Sequence, residues 1–220
     1  MKPLIFIVLF FLTTTVFGQG TSIDTTKKEH KNIISVDATG LLRQFFNLST
    51  SNYYPYPPYI LTYRRVIRNN AIKLAVGADI NIDNGTSNDS LKSSGERNTY
   101  NVALGFEHYN YLSKRWTFYY GIDAIAKYSI NKTKYPRSTT SYYESYGENK
   151  SYGLAPTLGI VFQITNRISM STETSYDISY VQVTSKQTEF PSSQYDRKST
   201  NNSIQTTYFP PTALNFRFKF

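Results

Sequence analysis

Apolar and polar positions alternate along residues 99–130, in two segments joined by the polar link Leu112-Ser113-Lys114-Arg115. Tyr100, Val102, Leu104 and Phe106 share one parity, and Asn101, Ala103, Gly105 and Glu107 the other. In the second segment Trp116, Phe118, Tyr120, Ile122, Ala124, Ala126 and Tyr128 alternate with Thr117, Tyr119, Gly121, Asp123, Ile125, Lys127 and Ser129. A period of two is that of a β-strand, whose successive side chains point to opposite faces. One row is apolar and ends in aromatics, while the other is small or charged. The pair therefore reads as an inside-out β-hairpin, with lipid against its apolar face and a polar interior on the other.

Six more segments obey the same rule. In 33–43, Ile34, Val36, Ala38, Gly40 and Leu42 face outward against Asp37, Thr39 and Arg43. In 59–67, Tyr59, Leu61 and Tyr63 face outward, Arg64 points inward and Arg65 snorkels. Residues 71–82 give the cleanest alternation, with Ile72, Leu74, Val76, Ala78, Ile80 and Ile82 against Lys73, Ala75, Gly77, Asp79 and Asn81. Residues 151–164, 168–181 and 213–220 complete the set, and Pro156, which lacks an N–H, predicts a bulge or a broken ladder contact. Links alternate between short and long. Arg68-Asn69-Asn70, the tetrapeptide above and Thr165-Asn166-Arg167 are tight, whereas 44–58, 83–98, 131–150 and 182–205 are expected as long loops. This rhythm predicts an all-β fold over 33–220, an eight-stranded antiparallel up-and-down transmembrane β-barrel with short periplasmic turns and long outer loops.

Composition supports that class. The chain has 220 residues with 20 Tyr and 14 Phe, and a mean hydropathy of -0.42. So many aromatics at such low hydropathy exclude a helical membrane protein and a disordered chain alike. Residues 1–18 read as a signal peptide, with Lys2, an apolar core and Val16-Phe17-Gly18 before the cleavage point; 19–32 read as a flexible periplasmic arm. Without Cys, lipoprotein anchoring, disulfides and thiolate metal sites are excluded. The net charge of +9 suits anionic headgroups and lipopolysaccharide phosphates. Its Lys and Arg residues are scattered rather than gathered in a stripe, which argues against nucleic acid.

With these features the chain resembles the small outer-membrane β-barrel proteins of the OmpA/OmpX/OmpW-like group. The resemblance is carried especially by Gly105-Phe106-Glu107 and Tyr120-Gly121-Ile122, which look like the paired strands of the generic outer-membrane β-barrel domain. It implies a location in the cell outer membrane. It also implies that Leu214, Phe216, Phe218 and Phe220 form the C-terminal signal read by the barrel-assembly machinery.

Candidate chemistry is sparse. The inward rows bring together Asp37, Arg64, Lys73, Asp79, Glu107, Asp123, Lys127, Glu173, Asp177, Arg217 and Lys219, expected to pair as a polar lumen network rather than to form a proton or solute path. His30 falls in the arm and His108 shares the outward parity of Phe106, so neither is placed to activate a nucleophile; no enzyme, cofactor or metal site is predicted. Glu173 and Asp177, four residues apart on one strand, stand roughly thirteen ångströms from each other, too far for one cation. Tyr53, Tyr54, Tyr56, Tyr142, Tyr143 and Tyr146 in the loops offer either a binding surface or the outer aromatic girdle. The expected role is structural or in surface interaction, carried by the four long extracellular loops, with an extracellular ligand or envelope protein as partner. A narrow channel for ions or small solutes is the alternative, and an envelope assembly or secretion factor a further one.

Overall fold

Alternation rich in β-branched and aromatic residues favours extended chain. In this computed structural model, which describes residues 31–39, 61–86, 92–136, 141–191, 196–211 and 213–220, strands account for nearly everything. They are β1 (Asn32–Asp37), β2 (Leu61–Ile67), β3 (Asn70–Thr86), β4 (Lys92–Tyr111), β5 (Trp116–Pro136), β6 (Tyr142–Gln163), β7 (Ile168–Phe190), β8 (Arg197–Phe209) and β9 (Asn215–Lys219). The signal peptide, most of the arm, and the 44–58 loop with Tyr53, Tyr54 and Tyr56 lie outside the described residues.

All pairings are antiparallel. β1 to β7 pair in sequence, and β9 lies between β7 and β1, closing a ring of eight that is not even round one axis. The closure is staggered. Partners followed from Leu154 through Ala124, Leu104, Leu74, Tyr63, Ile34 and Phe218 return to β7 at Ile168, ten residues short of Ile178, the direct partner of Leu154. Such a stagger tilts the strands, and a ring of only eight has an interior of side-chain width.

The two faces divide as the alternation predicts. Leu61, Ile72, Leu74, Leu104, Phe106, Ile122, Leu154 and Ile178 are exposed outside, while Ala75, Ala103, Ala155, Arg64, Lys73, Glu107 and Asp123 are buried inside. Tight links end the ring at one side. Leu112 and Ser113 N–H groups donate to Trp116 O at 3.0 and 3.1 Å, and the Ser113 hydroxyl accepts from Trp116 N at 3.1 Å. Arg68 turns the β2–β3 hairpin with φ 57°, a left-handed conformation that a side chain makes unfavourable. Pro156 keeps its partner Ile122 on β5 but interrupts the β6–β7 ladder between Leu154↔Ile178 and Thr157↔Ser175. Register is the same on either side, so the outcome is a broken contact rather than a bulge.

Three expectations are corrected. The expected loops 83–98, 131–150 and 182–205 are largely strand, because β3 to β7 run on and β8 is added as a partner for β7 alone among the described residues. These stretches are polar on both faces, so they show no hydrophobic alternation, yet their Thr and Tyr residues suit extended pairing. β1 ends at Asp37 rather than continuing to 43, and Ala38 is buried instead of facing outward. The Asp37 carboxylate accepts from the Thr39 N–H at 2.8 Å, and beyond it the Thr39 hydroxyl, in place of a backbone carbonyl, accepts from Leu214 N–H at 2.9 Å. The closing strand is also shorter than expected and split from β8. Between Ser175↔Phe209 and Ser171↔Asn215 the sequence of β7 advances by three intervening residues and that of the other side by five, beginning with Pro210-Pro211. Prolines cannot donate to the ladder; the Thr172 and Thr174 hydroxyls instead donate to Pro211 O and Phe209 O at 3.1 and 2.7 Å.

Gly159 on β6 lies directly opposite Tyr119 on β5, and a Cβ added there would land on the Tyr119 ring. Gly159→Ala is expected to displace that ring and to lower stability by about 1–3 kcal/mol. The measurement is the urea midpoint followed through Trp116, the chain's one tryptophan.

Candidate functional site

The inward parity of β2, β3, β4, β5 and β7 sends charged side chains into one interior. A buried charge is tolerated there only when partnered. Arg64 Nε donates to both Glu107 oxygens at 2.9 and 3.1 Å, Nη1 to the Ser35 hydroxyl at 3.0 Å and Nη2 to Glu173 Oε2 at 3.1 Å. Lys73 Nζ donates to Asp123 Oδ2 and Glu173 Oε1, each at 2.8 Å, and lies 3.7 Å from Glu107 Oε1. The Tyr119 hydroxyl donates to Glu173 Oε2 at 2.8 Å. The Tyr109 hydroxyl donates to Glu107 Oε2 at 2.7 Å and accepts from Arg217 Nη2 at 2.8 Å.

The rings beneath these charges are part of the site. Tyr109 and Tyr119 stack with centroids 5.4 Å apart, and the Arg217 guanidinium lies over both at 5.6 and 5.5 Å. Ala71 and Val161 pack with the two tyrosines, while Ala75, Ala103, Ile125 and Ala155 form a second apolar cluster. Small side chains on the inward row leave room for long charged ones within an interior of side-chain width. Chemically the arrangement is a plug of mutually neutralising groups.

Of the inward residues expected to pair, Arg64, Lys73, Glu107, Asp123, Glu173 and Arg217 meet here. Lys127 and Asp177 pair separately at 2.6 Å, with Lys127 Nζ 4.9 Å from the centre of the Phe209 ring. Asp37 turns to Thr39. Asp79 keeps the inward parity but is exposed opposite Thr99, beyond the part of the ring where interior groups converge. Lys219 donates to Gln163 Oε1. His108 Nδ1 contacts Asn70 Oδ1 at 2.8 Å and its ring leans on Tyr120, away from the interior cluster. Phe216, Phe218 and Phe220 occupy the outward row, with Phe216 opposite Val36 and Phe218 opposite Ile34. Tyr109, Tyr119 and Ser35 were absent from the expected set; two tyrosines inside an otherwise small or charged row were the available signal. Among the described residues no group of three His, Cys, Asp or Glu side chains is placed to hold a metal.

A second surface rises beyond the ring. Tyr142, Tyr143 and Tyr146 lie in β6 rather than in a loop, Tyr142 and Tyr146 on one face and Tyr143 on the other. Tyr142 stacks on Phe190 at 5.2 Å and carries Lys134 Nζ 3.8 Å from its ring centre. Lys132, Lys134, Lys150, Lys186 and Lys198 all share the parity of Tyr142 and Tyr146, as do Glu96, Glu144 and Glu148. Hydrogen bonds from Lys150 and Tyr128 hold the Glu148 carboxyl below its usual range. No family model, curated protein or solved structure matches the chain.

Glu107→Gln leaves Arg64 and Lys73 short of one buried counter-charge and is expected to cost about 3–5 kcal/mol. Asp79→Asn, changing an exposed group, is expected to stay within about 0.5 kcal/mol. Urea midpoints of the two purified variants check both values.

Proposed function

We propose that the protein is an integral outer-membrane β-barrel of the OmpA/OmpX/OmpW-like kind, acting as a structural and surface-interaction protein through its projecting sheet. The observation that carries this reading is the inversion of the ring, with charges buried within and a continuous row of Leu, Ile, Val and Phe exposed outside. In water that row would be unfavourable by about 25 cal/mol for each Å² of apolar surface. Hydrocarbon removes the penalty. On β6 the apolar row runs from Tyr152 to Phe162, close to the roughly 9–11 residues a tilted strand needs to cross a bilayer. Tyr100, Tyr128, Tyr152 and Tyr180 bound it on one side, and Trp116 with Phe162 on the other, as girdles do.

The projecting part of β5 to β8 supports the interaction role. From Tyr152 to Tyr142 the chain continues for roughly 30 Å at about 3.3 Å per residue. Its lysines, with Tyr142 and Tyr146, face the side continuous with the apolar row, which suits contact with the phosphates and sugars of lipopolysaccharide or with an envelope partner. The filled interior argues against conduction.

The chain lacks cysteine, so single cysteines report topology cleanly. With a membrane-impermeant maleimide on intact cells, Tyr146→Cys is expected to label and Ser113→Cys to label only after the envelope is permeabilised. Unboiled protein is expected to migrate differently from boiled protein on a denaturing gel. Recovery without detergent in the soluble fraction, or the reverse labelling, would sink the assignment. Planar bilayers are expected to stay silent; reproducible channels altered by Asp123→Asn would favour the narrow channel instead.

A further inference from the structure

We infer that the short-turn end of the ring interior is a binding site for one small monovalent anion of the chloride class, held between Arg217 on β9 and Ser169 and Ser171 on β7. Arg217, Ser169 and Ser171 are buried, and Arg217 Nε and Nη1 and both serine hydroxyls have no hydrogen-bond partner among the described residues. Ser169 is the direct cross-strand partner of Arg217, and Ser171 pairs with Asn215 two positions along. The three residues therefore share the inward face of the β7–β9 seam. Asn98 Oδ1, Asp123 Oδ1 and Thr157 Oγ1, also without partners, lie on β4, β5 and β6.

Every atom on the seam can donate, and guanidinium nitrogens cannot accept. The missing complement is an acceptor with several lone pairs. Charge points the same way. Glu107, Asp123 and Glu173 make their direct ion pairs with Arg64 and Lys73, while Arg217 reaches Glu107 only through the Tyr109 hydroxyl. Lys219, the next inward residue on β9, has a carboxamide rather than a carboxylate as partner. Arg217 and Lys219 are thus inward cations on β9 without a direct carboxylate partner among the described residues, and Arg217 carries two of the unpartnered donors. Water would satisfy the donors but leave the charge, whereas a compact anion answers both. Tyr109 and Tyr119, stacked under Arg217, hold the guanidinium in place for it. The narrow interior excludes larger anions.

The test follows thermal unfolding of the purified full chain in detergent, in sodium chloride against sodium gluconate at equal ionic strength. Chloride is expected to raise the midpoint, with a dependence that becomes logarithmic in concentration as the site fills, and bromide is expected to substitute. The response is expected to disappear in the double variant Ser169→Ala/Ser171→Ala, which removes only two hydroxyls and so remains foldable where Arg217→Gln fails. Coincident midpoints in chloride and gluconate, or a chloride response that survives the double variant, would overturn the site.

Discussion

Glu173 ties the ring together across its interior. Backbone pairing joins each strand only to its neighbours, whereas this carboxylate on β7 receives Lys73 from β3, Arg64 from β2 and the Tyr119 hydroxyl from β5. The partners lie 100, 109 and 54 residues away in the chain. Their meeting requires the ten-residue stagger, an inward row of small side chains and a complete set of counter-charges all at once. The cost of an unpartnered interior charge makes these conditions mutually dependent.

The outer surface follows from the same arrangement. A closed ring pairs the backbone of every strand with two neighbours, so its outer face need offer only side chains, and here those are aliphatic and aromatic over a limited height. Above that height the constraint changes. Both faces become polar, the strands continue as open sheet, and stacked rings such as Tyr142 on Phe190 with Lys134 above them supply order that an apolar interior supplies below.

Parity was legible in the sequence because one face of each ring strand is apolar, and a period of two survives any uncertainty about where a strand ends. That placed Arg64, Lys73, Glu107 and Asp123 inside. Which of them touch was not legible, because contact across a ring depends on stagger, and stagger is a property of closure rather than of any one segment. Asp79 shows the limit: its parity is inward, yet its height along β3 leaves it exposed. The extensions of β5 to β8 escaped detection for a different reason. A strand wetted on both faces carries no alternation, so Tyr142, Tyr143 and Tyr146 read as loop. Tyr109 and Tyr119 carry the correct parity, but phenol rings among alanines and carboxylates resemble girdle residues until their hydroxyls are seen to meet Glu107 and Glu173.

The two-residue change of register at 210–214 separates two mechanical tasks within one stretch of chain. β9 alone takes part in closure, and the stagger of the ring is set by its pairing with β1 and β7. Among the described residues β8 is registered only against β7, on the far side of the prolines. Lengthening, shortening or resequencing the projecting hairpin therefore leaves the phase of the ring untouched. The projecting hairpin and the frame that carries it are thus set by separate pairings.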